Sequence, residues 1–256
     1  MQAPGNMLKL DALAPKTRPV FEALARMPAL DNWVLVRGTA MALQLGHRSS
    51  EDLDLWLPAQ AISIHATDEL MRSLQRAGHQ VAFATPAHQT TQFRINSGDD
   101  LRRYVQDWAV DGVKVQFFCL RDAAFDSFRA HPRLSRKDTH TTFEVMGPDG
   151  LFAMKSYVIH QRTRSRDLVD LWHFVQHGKT LADILAAGLA ASPSCSVDYA
   201  KQVLTGAVPL DVQDEGFETL APGVTLKKIY KGFVARVNAL EVEQARMAAL
   251  AKRPAA

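Results

Sequence analysis

The spacing of apolar residues changes once along the chain, near residue 147, and that change constrains the fold more than any other feature. Before it, apolar residues come in short runs rich in β-branched and aromatic side chains, interleaved with short helical patterns. After it they recur only at three- and four-residue intervals, over 149–161, 165–177, 180–189, 197–205 and 225–251, between turns holding Gly178, Pro193, Pro209 and Pro222-Gly223. The expected class is α+β. A mixed or antiparallel sheet with flanking helices is expected over 1–147, followed by a helical domain over 148–256.

Within the first half, residues 15–28 read as a helix with Pro15 near its start and Pro28 at its stop. WVLV at 33–36 reads as a buried strand, Gly38-Thr39 as a tight turn, and AMALQLG at 40–46 as a helix. DLDLWL at 52–57 alternates with period two, so Asp52 and Asp54 share one face of a strand that Pro58 ends. Residues 67–78 form a helical pattern with Thr67 as candidate N-cap, and β-like runs follow at 80–84 and 90–96. Asp111-Gly112 between RRYVQDWAV and VKVQFF is a hairpin signal.

Composition narrows the function classes without choosing one. A formal charge of +3 is too small to mark a nucleic-acid binder, although Arg133/Arg136/Lys137, Arg162/Arg164/Arg166 and Lys227/Lys228/Lys231 form basic clusters. The two cysteines, Cys119 and Cys195, lie far apart outside any CxxC context, so neither a disulfide framework nor structural zinc is expected. Cys119 reads as a buried thiol. The nine histidines show no metal-ligand spacing. No apolar run is long enough to span a bilayer and no leader pattern opens the chain, so a cytoplasmic setting without membrane contact is expected.

The Asp52–Asp54 pair carries the chemistry. Two like charges about 4 Å apart, at an effective dielectric of about 20, repel by roughly 4 kcal/mol. Full exposure removes most of that cost, whereas a hard divalent cation reverses it. Mg²⁺ takes one or two carboxylates together with substrate phosphates and water. Gly38-Thr39 offers the complementary half, backbone N–H groups at a helix start with no Cβ on Gly38 to obstruct a phosphate. The alternative is a solvated acidic edge.

"RGTAMALQLGHRSSEDLDLW" (37–56) resembles the signature of the AbiEii/AbiGii-type nucleotidyltransferase toxins, in the DNA polymerase β-like superfamily. That signature runs strand, G-G-T-A-L, helix, H-R-x-S-x-D-L-D-[LF]; His47, Arg48, Ser50, Asp52, Leu53, Asp54 and Leu55 fall in register. A second block, "GPDGLFAMKSYVIHQRTRSRDLVDLWHFV" (147–175), resembles the family's L-x-x-x-K helix and [KR]-D-x-x-D-L helix, with Lys155, Arg166-Asp167 and Asp170 at the matching places.

The resemblance implies a Mg²⁺- or Mn²⁺-dependent transfer of NMP from an NTP to an acceptor hydroxyl, with RNA, tRNA especially, as acceptor. It also implies a toxin or phage-defence role and a cognate antitoxin partner. Gly38 and Thr39 would hold the triphosphate, with Arg48, Ser50 and Asp167 near the nucleotide. Asp52 and Asp54 would bind the metal; Lys155 would contact phosphates or the transition state, and Asp170 would complete the site. Plainer readings stand beside these: Ser50 as a turn residue, Lys155 as a surface lysine, Asp167 as a carboxylate favoured by the helix dipole.

Two positions depart from the pattern. Arg37 stands where the first glycine belongs, and either crowds the phosphate cradle or supplies a cation to it. "GVKVQFF" places Gln116 where the superfamily often has a third carboxylate, on the face shared by Lys114 and Phe118, and an amide is a poor metal ligand. A nucleotide- or partner-binding protein without turnover is therefore the competing class. Nucleotidylation of a small hydroxyl compound is a further one.

Overall fold

The computed structural model describes residues 8–119, 123–220 and 222–251. The chain divides into two compact units, Met1–Leu151 and Phe152–Ala256. The first unit is built on a seven-stranded mixed sheet. Its strands are β1 (Val34–Leu35), β2 (Leu53–Trp56), β3 (Val81–Phe83), β4 (Val105–Val110), β5 (Val113–Phe118), β6 (Arg133–Leu134) and β7 (Glu144–Met146). The order across the sheet is β3-β4-β5-β2-β1-β7-β6, so β2 lies at the centre. It runs parallel to β5 and antiparallel to β1, and β4 and β5 form the antiparallel hairpin. The fold is α+β with a mixed sheet, as the alternating runs require.

The hairpin turn is Asp111-Gly112 with both residues at positive φ (50° and 74°), the geometry that matches the twist of the strands it joins. Trp56, Phe117, Phe118, Phe128 and Phe143 are fully buried around the sheet. Trp33 meets Phe117 edge-on at 4.9 Å, and Phe125 meets both Trp56 and Phe118 edge-on.

Helix α1 (Thr17–Leu24) ends before the expected stop, and Pro28 opens a short 3₁₀ turn, where its missing N–H costs nothing. Helix α2 (Arg37–Leu45) takes in the Gly-Thr pair as its first turn, so the pair does not form a separate turn before it. The turn residue is Arg37, at φ +58°. Helix α3 (Ile64–Arg76) starts earlier than its pattern suggested. Ser63 is the N-cap, accepting the Ala66 N–H, and Thr67 is buried in the first turn with its hydroxyl on the Ser63 and Ile64 carbonyls.

The β-like run at 90–96 is helical, within α4 (Ala87–Ser97). It has no buried residue, so no sheet face selects the extended form, and Gly98 at φ +72° ends it. Two further short helices, α5 (Ala123–Arg129) and α6 (Arg136–Thr139), belong to this unit.

The second unit is helical: α8 (Ser165–Gln176), α9 (Leu181–Ala191), α10 (Val197–Thr205) and α11 (Leu226–Ala251) follow α7 (Pro148–Val158), within which the division of the chain falls. Thr180 and Asp183 close a reciprocal capping box on α9. Trp172 packs edge-on against Phe233, and Gly232 leaves room for its indole, because a Cβ there would run into the ring. No helix among the described residues is long and apolar enough to cross a membrane.

Candidate functional site

In the first unit the motif residues are fixed by the segment between α2 and β2. Gly46 ends α2 in the left-handed conformation. The loop after it is pinned from the N-terminal side: Ser50 exchanges backbone hydrogen bonds with Ala12 and Ala14, and the Thr17 hydroxyl donates to the Glu51 carbonyl at 2.8 Å. It is pinned from α2 as well. The Thr39 hydroxyl meets the Ser50 hydroxyl at 2.8 Å and reaches the Asp52 carbonyl, and both side chains are buried.

Arg48 is buried too, with Nη1 donating to the Ser49 carbonyl at 2.9 Å. A Cβ on Gly38 would stand 2.5 Å from Arg48 Nη2, so the missing side chain at Gly38 makes room for this guanidinium. Thr39 and Ser50 therefore tie the segment that leads to Asp52 to α2, and Arg48 lies against Gly38. The two aspartates are half-buried, with Asp52 just before β2 and Asp54 within it.

Asp54 has polar neighbours to one side along the sheet. Its register partner on β5 is Gln116, and the register partner of Gln116 on β4 is Asp107. Arg37 Nη1 donates to Asp54 Oδ1 at 2.9 Å and to Gln116 Oε1 at 2.5 Å, and its guanidinium lies over the Phe118 ring at 4.3 Å. Gln116 Nε2 donates to Asp107 Oδ1 at 2.7 Å, and Lys114 Nζ lies 3.8 Å from that same oxygen.

Arg37, Asp54, Gln116 and Asp107 thus form one polar row across three strands. Asp107 was not singled out from the sequence, yet the signal was there: a two-residue turn at Asp111-Gly112 fixes Asp107 opposite Gln116.

In the second unit Lys155 is not a surface lysine. It is 5% exposed, on α7, and its ammonium lies 2.5 Å from Asp167 Oδ1 and 2.6 Å from Asp170 Oδ2, both carboxylates of α8. Arg162 Nε adds a third ion pair, 2.9 Å from Asp167 Oδ2. The i, i+3 spacing on one helix turns both carboxylates to the same lysine. Burial on its own would raise the Asp167 pKa, but the Lys155 and Arg162 charges and their hydrogen bonds outweigh it and hold the carboxyl below its ordinary value. The N-terminus of α8 is further clamped by Asp214, which accepts from the Ser165 N–H and hydroxyl, and by Asp211, which accepts from Arg164 Nε.

Among the described residues, no group of three or more His, Cys, Asp or Glu side chains converges as a metal cage. The hard oxygens of Asp52 and Asp54 fit a different kind of binding, in which Mg²⁺ arrives with phosphates and needs only one or two protein carboxylates.

Asp54 thus lies on the central strand with Asp52 just before it, and the Gly-Thr pair opens the helix that precedes that strand. The chain matches the family model described as nucleotidyl transferase AbiEii toxin, type IV toxin–antitoxin system, over residues 20–249, and it belongs to that family. It is 22% identical over 212 residues to an uncharacterized protein of Aquifex aeolicus (strain VF5), covering 82% of this chain and 89% of that one. Among solved structures it is similar to MenT4, a nucleotidyltransferase toxin from Mycobacterium tuberculosis H37Rv. The TM-score there is 0.46 at 14% identity, covering 84% of this chain and 80% of that one.

Proposed function

We propose that the chain transfers NMP from a nucleoside triphosphate to an acceptor hydroxyl, with RNA, tRNA especially, as the acceptor. The acceptor oxygen bonds to the α-phosphorus, the bond from that phosphorus to the bridging oxygen breaks, and pyrophosphate leaves with the hydroxyl proton released. Asp52 and Asp54 would hold one divalent cation, Mg²⁺ or Mn²⁺, which supplies charge neutralisation at the phosphates when bound.

The first-turn N–H groups of α2 at Gly38 and Thr39 are donors for the triphosphate, and their alignment with the helix dipole favours that charge. Thr39, Ser50 and Arg48 act by holding the carboxylate-bearing segment in place, since their side chains engage the protein itself. Lys155 and Asp170 are assigned to the reaction by family likeness; in their own unit they form a desolvated ion cluster with Asp167. The biological role is that of a toxin whose activity a cognate antitoxin restrains, acting in the cytoplasm, where NTP and RNA are found.

The observation that carries this reading is the placement of Asp54 on the central strand, with Asp52 immediately before it, in a chain of this family. Incubation with α- and γ-labelled NTPs, total RNA and a panel of small hydroxyl compounds tests it. The expected result is α-label on RNA, no γ-label on any acceptor, and release of pyrophosphate. Label on a small compound instead would replace the acceptor class.

The ion pair between Arg37 and Asp54 supports a second reading, a protein that binds nucleotide or a partner without turnover. Nucleotide binding by calorimetry without pyrophosphate release would establish it.

A further inference from the structure

We infer that Arg37 is a resident cation of the active site, paired with Gln116, and that it leaves room beside Asp54 for one divalent ion only. This rests on the nucleotidyl-transfer reading and adds a departure from the two-ion arrangement common in polymerase-type sites, where both ions share acidic ligands. Three observations carry it, each from a different level of the structure.

The backbone comes first. Arg37 sits at φ +58°, a left-handed conformation that disfavours any residue with a Cβ. A strained residue of this kind persists where the surroundings hold it, and such outliers cluster at functional sites. Here the side chain is what the surroundings hold: two hydrogen bonds from Nη1 and a stack on Phe118 fix the guanidinium.

The amide comes second. Gln116 could present either its oxygen or its nitrogen toward Asp54. Asp107 decides, because it accepts from Nε2 at 2.7 Å and so turns Oε1 toward Arg37 at 2.5 Å. The row therefore alternates in sign, carboxylate, guanidinium, amide oxygen, then amide nitrogen and carboxylate.

An acid at position 116 would give β2 and β5 facing carboxylates, a natural clamp for a divalent ion. An amide there offers one neutral oxygen, which suits a guanidinium and suits a second metal ion poorly.

The third observation is the reach of the contact: Arg37, at the start of α2, and Gln116, on β5, bond to each other across 79 positions of sequence. Arg37 is thus a positioning and charge-neutralising residue for Asp54.

Counting ions tests this. Mn²⁺ is titrated into the full chain with an α,β-methylene NTP analogue, and bound ion is read by electron paramagnetic resonance. The wild type is expected to bind about one Mn²⁺ per chain, and the Arg37→Gly/Gln116→Asp double variant about two. Glycine at 37 accepts the left-handed backbone, so the double variant is expected to fold, with circular dichroism as the check. Two ions in the wild type overturn the inference and leave the transferase reading intact. A folded double variant that still binds one ion also overturns it. No Mn²⁺ and no nucleotide bound by the wild type overturns the transferase reading, and the inference with it.

Discussion

Two ion-paired aspartate sites, Asp54 with Arg37 in the first unit and Asp167 and Asp170 with Lys155 in the second, differ mainly in their access to water. At the Asp54 site the arginine side chain is 33% exposed and the carboxylate 14%. At the Lys155 site the lysine is 6% exposed and its two aspartates 1% and 0%. The same chemistry, a basic side chain on a carboxylate, therefore has different consequences. A half-solvated pair exchanges partners at little cost, which a ligand-binding carboxylate requires. A dry pair cannot lose a member without leaving a charge stranded in the protein interior. Contact between opposite charges does not by itself set the cost of losing a partner; burial does.

Breaking the dry cluster is expected to have the largest effect. Lys155→Met leaves Asp167 and Asp170 without their lysine and is expected to destabilise the chain by about 3–5 kcal/mol in urea unfolding. A loss under about 1 kcal/mol would show that the cluster is solvated.

Acid should find the same cluster. The folded-state pKa of Asp167 is depressed, so its contribution to stability is fully present above the ordinary aspartate value near 4 and is lost as pH falls below it toward the folded pKa. Thermal melts should thus show no loss from this source between about pH 7 and 5 and a steep one below about pH 4. In Asp167→Asn that acid limb should flatten.

Gly38→Ala pushes a Cβ onto Arg48 Nη2 and is expected to cost about 1–2 kcal/mol, because Arg48 is buried and has little room to yield. The smallest stability effect belongs to the half-buried site. Asp54→Asn should change unfolding free energy by less than about 1 kcal/mol. A loss as large as that of Lys155→Met would erase the distinction between the two sites.

Much of this was legible in the sequence, for reasons that differ from element to element. The helices of the second unit were readable from three- and four-residue spacing because each buries one apolar stripe. The hairpin was readable because Asp111-Gly112 has few other uses. Residues 90–96 misled because TQFRI has β-type composition, while α4 buries no residue and local backbone bonding decided its form. The cap of α3 was misplaced because Ser63 and Thr67 both offer a hydroxyl, and only packing selects Ser63.

At the candidate site, the clustering of the Asp52–Asp54 segment with Gly38 and Thr39 followed from strand and helix order. Three facts were hidden in long-range geometry: the Arg37 backbone, the amide orientation of Gln116 and the burial of Lys155. A left-handed arginine has no local sequence signature, and a lysine's burial depends on two carboxylates that reach it from the next helix.

We propose that Asp54 serves chemistry and contributes little to the fold. Pyrophosphate release from NTP in the presence of total RNA, measured for the wild type and Asp54→Asn alongside their thermal melts, tests this most directly. The variant is expected to melt within a few degrees of the wild type and to lose at least about a thousandfold in rate, the scale of a lost transition-state charge contact. Wild-type turnover in a folded Asp54→Asn protein would contradict it.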